Sequence, residues 1–145
     1  MKYFIIDGNN LLGKISKKYL AKNSDSRVSL AFILDRYFST KSYKVSLHFD
    51  GFKKETIKTN KIKLYYSNNK SADDEIKLEI ENSTNRKLIT LVTSDFNLLD
   101  FGKVCSCEII TSEKFSKILF QKDLDKEEEI IKTISNNEIK KLFGV

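Results

Sequence analysis

The chain has no proline, and its 145 residues include only five glycines, two cysteines and one histidine. The scarcity of proline and glycine goes with abundant lysine, isoleucine and asparagine, a pattern of A- and T-rich coding that bears on no mechanism. Cys105 and Cys107 alone cannot close a tetrahedral zinc site, and the lone His48 does not complete one. On a strand the two thiols would share a face without suiting a disulfide. They are read as buried and reduced, which points to the cytoplasm. No run approaches the roughly 20 apolar residues of a bilayer span. Asp7 interrupts the first apolar stretch before it could form a secretory h-region. A Gly-x-x-x-x-Gly-Lys sequence is also missing, which excludes a Walker nucleotide site.

What is present describes a folded domain. Apolar residues make up 40 % of the chain, with ten Phe and six Tyr, enough to bury a core over residues 1–145 as one domain. Basic side chains number 26 against 20 acidic, a formal charge of +6. All but Arg27, Arg36 and Arg86 of those bases are lysine. The surplus favours an anionic partner, although diffuse lysine also serves solubility.

Apolar patterning alternates between strand and helix. Tyr3–Ile6 is a short, wholly apolar run and Leu88–Val92 a densely apolar one, both suited to strands buried on both faces. Tyr43, Val45, Leu47 and Phe49 alternate with polar residues, as do Ile62, Leu64 and Tyr66, giving a half-buried strand and one near a sheet edge. Val104–Ile110 holds a fifth. Between them fall a short helix capped by Asn9 or Asn10, a longer one from Ser26 to about Phe38, and one opened by Ser71. A helical turn over Phe96–Phe101 ends near Gly102, Ser112 starts a further helix, and an amphipathic helix follows Asp123. Such alternation predicts a three-layer α/β/α sandwich on a parallel five-stranded sheet. With the two most apolar strands central, the order is 3-2-1-4-5, and a ligand crevice falls at the carboxyl ends of strands one and four.

Carboxylates gather at that end. Three of the first four strands run into Asp7, Asp50 and Asp95, and the strand that does not is followed by Asp73 at a helix start. Singly, each is an ordinary turn former or first-turn acid. Together at one edge they would repel, and hard Mg²⁺ or Mn²⁺, one ion or two, removes that cost by taking oxygen ligands. With Ala72, Ile76 and Ile80 facing the sheet, Asp73 lies about 60° from the centre of that face and Asp74 roughly 160° away. Asp73 is therefore the expected ligand, and Asp74 an outer partner or a dipole-matching acid. Asn9, Asn10, Thr93 and Ser94 can hold water or phosphate beside the cluster. His48 is read as structural rather than as a general base.

Ile5-Ile6-Asp7-Gly8-Asn9-Asn10, His48-Phe49-Asp50-Gly51, Ser71-Ala72-Asp73-Asp74-Glu75-Ile76 and Val92-Thr93-Ser94-Asp95 stand in the order and spacing of the NYN domain. From Met1 to about Leu119 the chain resembles this PIN-like nuclease family, most of all its bacterial YacP-type branch. The resemblance implies a metal-dependent endoribonuclease that hydrolyses phosphodiester bonds, with an α/β/α sandwich. It implies Asp7, Asp73 and Asp95 as metal-binding and catalytic carboxylates, Asp50 as a fourth ligand, and Asn9, Asn10 and Ser94 as substrate-positioning groups. The branch includes an enzyme that cleaves messenger RNA on the ribosome, which extends the expected partners from RNA to the ribosome, with no membrane. Where the branch often has an aromatic after Asp-Gly, this chain has Asn9. Single-stranded RNA is the expected substrate, because unstacked strands fit a crevice. Lys14, Lys17, Lys18, Lys53, Lys54 and Lys70 would track its backbone. Two rivals stand beside this reading. One is a PIN-like module that binds RNA or protein without cutting, which loss of a core carboxylate would signal. The other is a phosphatase using Asp7 as nucleophile, which would want an acid at position 9.

Overall fold

A computed structural model describes residues 1–22 and 25–121, so the helix expected beyond Asp123 lies outside the described residues. Five strands form one sheet: β1 Tyr3–Asp7, β2 Lys44–Phe49, β3 Lys63–Tyr66, β4 Ile89–Val92 and β5 Glu108–Ile110. Their order is β3-β2-β1-β4-β5, every pairing parallel, as the patterning predicts. The helices are α1 Gly8–Leu12, α2 Ser26–Phe38, α3 Ala72–Glu81, α4 Phe96–Val104 and α5 Ser112–Leu119.

Period-2 alternation along β1 sends its side chains into two separate cores. Phe4 and Ile6 pack with Leu11 of α1, Leu30, Leu34 and Phe38 of α2, and Phe115 of α5. Ile5 packs on the opposite face with Ile76 and Ile80 of α3, Leu98 of α4, and Leu91. The three-layer sandwich follows, with α1, α2 and α5 on one face and α3 and α4 on the other. The first core is rich in rings, with Phe38 centred 5.0 Å from Phe4 and 6.2 Å from Phe115.

Several element limits differ from the sequence pattern. Asp7, rather than Asn9 or Asn10, stands at the N-cap of α1, and it makes no side-chain cap bond there. Asp25, not Ser26, caps α2, accepting from the Arg27 amide. The Phe96–Phe101 turn is a full helix that runs through Gly102 to Val104. The fifth strand is accordingly only Glu108–Ile110. Cys105 and Cys107 therefore precede the strand instead of sharing one of its faces. Both are free thiols, Cys107 buried and Cys105 half-buried.

Gly8 decides how the first loop sits over the sheet. A Cβ there would lie 2.6 Å from the His48 carbonyl oxygen and 2.7 Å from the Phe49 ring. The missing side chain lets α1 start directly on the end of β2. At Gly102 the equivalent contacts are only the ends of the Ile109 and Leu91 side chains, at 2.8 and 2.9 Å. Gly8→Ala is expected to cost about 2–3 kcal/mol, because a strand carbonyl cannot step aside, and Gly102→Ala less. Urea unfolding of the two variants should rank them in that order.

Candidate active site

The parallel register fixes the site. Asp7 pairs with His48, and the residue before it, Ile6, pairs with Val92, so Thr93 comes up beside Asp7 at the carboxyl edge. Its hydroxyl donates to Asp7 Oδ2 at 2.9 Å and accepts from the Asp95 amide at 3.1 Å. One fully buried threonine thus sets the distance between two of the acids. Asp95 caps α4 through Oδ1, which accepts from the Leu98 amide at 3.1 Å. Asp50, one residue beyond β2, accepts from the Ala72 amide at 2.8 Å and so ties β2 to the start of α3. Asp73 follows as the second residue of that helix, half-buried, while Asp74 is exposed as helical geometry requires.

These carboxylates act on one another. Asp7 is 5 % exposed, and its pKa is pushed up from 3.8 to about 6. Burial is the largest cause, reinforced by the charges of Asp73 and Asp50 and opposed by the Thr93 hydroxyl and the Asn10 amide. Asp73 is also raised, by burial first and then by Asp95 and Asp50, with Lys77 as a counter-charge. Asp7, Asp50, Asp73 and Asp95 therefore share one patch of negative potential. They do not close on a point: among the described residues no three His, Cys, Asp or Glu are grouped to hold a metal ion. Asp50 and Asp95 each have one oxygen engaged by a backbone amide, and Asp7 accepts from both the Thr93 hydroxyl and the Asn10 amide.

The polar residues beside the acids hold the loops together. Asn9 Oδ1 accepts from the Asp50 amide at 2.9 Å. Asn10 Oδ1 accepts from the Ser94 amide at 2.8 Å and from the Ser112 hydroxyl at 2.6 Å. Ser94 Oγ accepts from the Ser112 amide at 2.9 Å and donates to Glu113, which pairs with Lys14 at 3.2 Å. The acceptor oxygens of both asparagines thus join loops far apart in sequence. Lys53 and Lys54 lie on the loop that carries Asp50, and Lys70 directly precedes Ser71, all three exposed. Lys17 and Lys18 occupy an exposed 3-10 turn after α1, with the Lys18 ammonium over the Tyr19 ring.

Arg27 is a part of the site that sequence reasoning missed. Its guanidinium donates to the carbonyls of Asp50 at 2.6 Å and Phe52 at 3.2 Å, and lies over the Phe49 and Tyr66 rings. A planar fork that bonds two carbonyls while stacking is beyond lysine. One of only three arginines among so many lysines was the available signal. His48 has the structural role expected of it. It is buried, stacks on Tyr65, and meets Glu79 of α3 at 2.6 Å, with Ser46 and Tyr3 completing the chain of hydrogen bonds. Burial draws His48 down to about 4 and lifts Glu79 to about 7, so it favours the neutral form of each partner. A cavity of about 690 Å³ around Tyr3, Lys44, Glu79 and Leu88 lies at the amino edge of the sheet, away from the acids.

A parallel 3-2-1-4-5 sheet with helices on both faces and acids at its carboxyl edge defines a PIN-like α/β domain. The profile of the YacP-like NYN domain matches residues 4–142, and the chain belongs to that family. Its function is thereby of the nuclease type and related to RNA. Two crystal structures of Rae1 (YacP) from Bacillus subtilis share the fold, each with a TM-score of 0.67. The W164L mutant is 19 % identical, with 93 % of this chain and 85 % of that one covered. The other is 20 % identical, with 98 % and 87 % covered. No curated protein sequence matches the chain. No described helix is long and apolar enough to cross a membrane.

Proposed function

We propose that the chain is a Mg²⁺- or Mn²⁺-dependent endoribonuclease of the cytoplasm that hydrolyses single-stranded RNA, messenger RNA included, free or on the ribosome. The observation that carries this reading is the convergence of Asp7, Asp50, Asp73 and Asp95 on one sheet edge, with too little positive charge among them to balance it. Their donor set, oxygen only, fits a hard divalent cation. Because they do not close into a three-acid cage, the fit is to an ion that keeps water and takes phosphate oxygens beside one or two carboxylates. Asp7, Asp73 and Asp95 would supply those one or two carboxylates among them, with Asp50 as a further candidate and Asp74 outside them. When bound, such an ion lowers the pKa of the attacking water and neutralises charge on the non-bridging phosphate oxygens.

The chain's own groups prepare the edge for that chemistry. Thr93 keeps Asp7 and Asp95 in register, Asp50 fixes the start of α3 on which Asp73 rides, and Asn10 pins the Ser94 amide. Pre-set acids need no reorganisation as charge develops on phosphorus. Lys14, Lys53, Lys54 and Lys70 surround the edge, and Lys17 and Lys18 extend the basic surface past α1, where they would hold a strand by its phosphates.

Cleavage of an end-labelled single-stranded oligoribonucleotide tests the reading. Wild type is expected to give internal cuts with Mn²⁺ or Mg²⁺, none in EDTA, and Asp95→Asn to lose the cuts. Equal cutting by both proteins would mark a contaminant and end the hydrolase reading. Binding by both without cutting would favour the silent PIN-like module.

A further inference from the structure

Three phenylalanines of the described chain are strongly exposed: Phe32, Phe52 and Phe96, at 52, 59 and 81 %. Phe32 lies midway along α2. The other two stand at the acidic edge, Phe52 two residues after Asp50 and Phe96 one residue after Asp95. Because β2 and β4 flank β1, the two rings lie on either side of Asp7 in the sheet order. Scattered apolar side chains are common on surfaces. Two bare rings next to two acids of one cluster are a different pattern.

Their backbones are held. Arg27 grips the Asp50 and Phe52 carbonyls, and Gly51, at φ +82°, turns the chain between them. Phe96 is the first residue of α4, directly behind its capping Asp95. A ring on a fixed backbone loses little freedom when something flat settles on it. Phe52 is followed at once by Lys53 and Lys54, so a ring and two ammonium groups share one exposed stretch. Aromatic faces beside basic residues are what unpaired bases and their phosphates require.

We propose that Phe52 and Phe96 are stacking platforms for unpaired bases on the two sides of the cleaved bond, making the chain selective for strands whose bases are splayed apart. This inference rests on the ribonuclease reading above and adds the groups that choose the substrate. Duplex RNA, its bases already stacked, offers the rings nothing.

Cleavage kinetics on a short single-stranded oligoribonucleotide test it, with Phe52→Ala, Phe96→Ala, Phe96→Tyr and Phe32→Ala beside wild type. All these positions are exposed, so the variants keep the fold. Phe52→Ala and Phe96→Ala are each expected to raise KM about tenfold or more with kcat little changed, the size of one lost base–ring stack. Phe96→Tyr should restore KM, and Phe32→Ala should leave it alone. Fluorescence of 2-aminopurine in the same oligonucleotide, bound to uncut Asp95→Asn, should be quenched and should brighten when either ring is removed. Unchanged KM in both alanine variants of an active enzyme overturns the stacking while the ribonuclease stands. A loss at one ring only overturns the two-sided form. A loss seen on ribosome-bound message and not on the free oligonucleotide would make the rings a protein contact and also overturn it. If wild type neither cuts nor binds RNA, both readings fall.

Discussion

Asp7→Asn should remove cleavage and at the same time stabilise the free protein above pH 6. The Asp7 carboxyl is raised from 3.8 to about 6 in the fold, chiefly by burial and further by Asp73 and Asp50. A raised pKa means that the native state binds this proton more tightly than the unfolded chain does. Its contribution is fully present below about pH 4 and is lost as the pH rises through about 6. At pH 8 the ionised carboxylate therefore costs about 2–3 kcal/mol, since each tenfold change in proton affinity is worth about 1.4 kcal/mol. Asparagine has the same shape, can still accept from Thr93, and carries no charge to bury. Urea unfolding without divalent ions should give the variant about 2 kcal/mol of extra stability at pH 8 and almost none at pH 4. Added Mn²⁺ should narrow the gap by stabilising wild type alone. A variant less stable than wild type at pH 8 would refute the electrostatic account of the site.

The fold is legible in the sequence because its signals are periodic. Apolar runs at Tyr3–Ile6 and Leu88–Val92 mark the central strands, and alternation marks β3 as the less buried edge, which together set the strand order. The alternation of β2 suggests one less buried face, but the strand is buried on both from Val45 to Phe49, because Glu79 takes up Ser46 and His48. The acids are legible because strand ends and helix starts are local features. What stays hidden is set by tertiary contact. Gly102 reads as a helix stop, yet it lies inside α4 because a side chain there would strike Ile109 and Leu91. The helix then closes at Cys105, and Ser106, at φ 67°, turns the chain back, which shortens β5. Asn10 reads as a substrate-positioning group, and the sequence does not tell that its acceptor oxygen also reaches Ser94 and Ser112, residues 84 and 102 positions away. Nothing local announces such a bond. Strand alternation correctly turns His48 to the face opposite Phe49. Its partner Glu79 lies on a helix whose approach the sequence does not specify.

The adjacent acids Asp73 and Asp74 give the sharpest test of that local reasoning. One step along α3 turns a side chain by about 100°, so two neighbours with the same chemistry meet different surroundings. Asp73 is half-buried and feels Asp95 and Asp50, while Asp74 is exposed and offers its amide to Ser71. Lys77, one turn along the helix, is the nearest offset to Asp73 and does not cancel its neighbours. Asp73→Asn is expected to lower kcat on the order of a hundredfold or more, because it takes charge from the edge where the ion and the phosphate would meet. Asp74→Asn should cost less than about tenfold, the lower bound for a group that orients a ligand. Both substitutions keep the side-chain volume, and the Asp74 amide still caps onto Ser71, so matching melting curves would show that the difference arises in catalysis. Mn²⁺ titration followed by thermal shift should separate them again, with stabilisation kept in Asp74→Asn and weakened in Asp73→Asn. Equal losses at the two positions would mean that total negative charge at the helix start, rather than the placement of one carboxylate, drives the reaction.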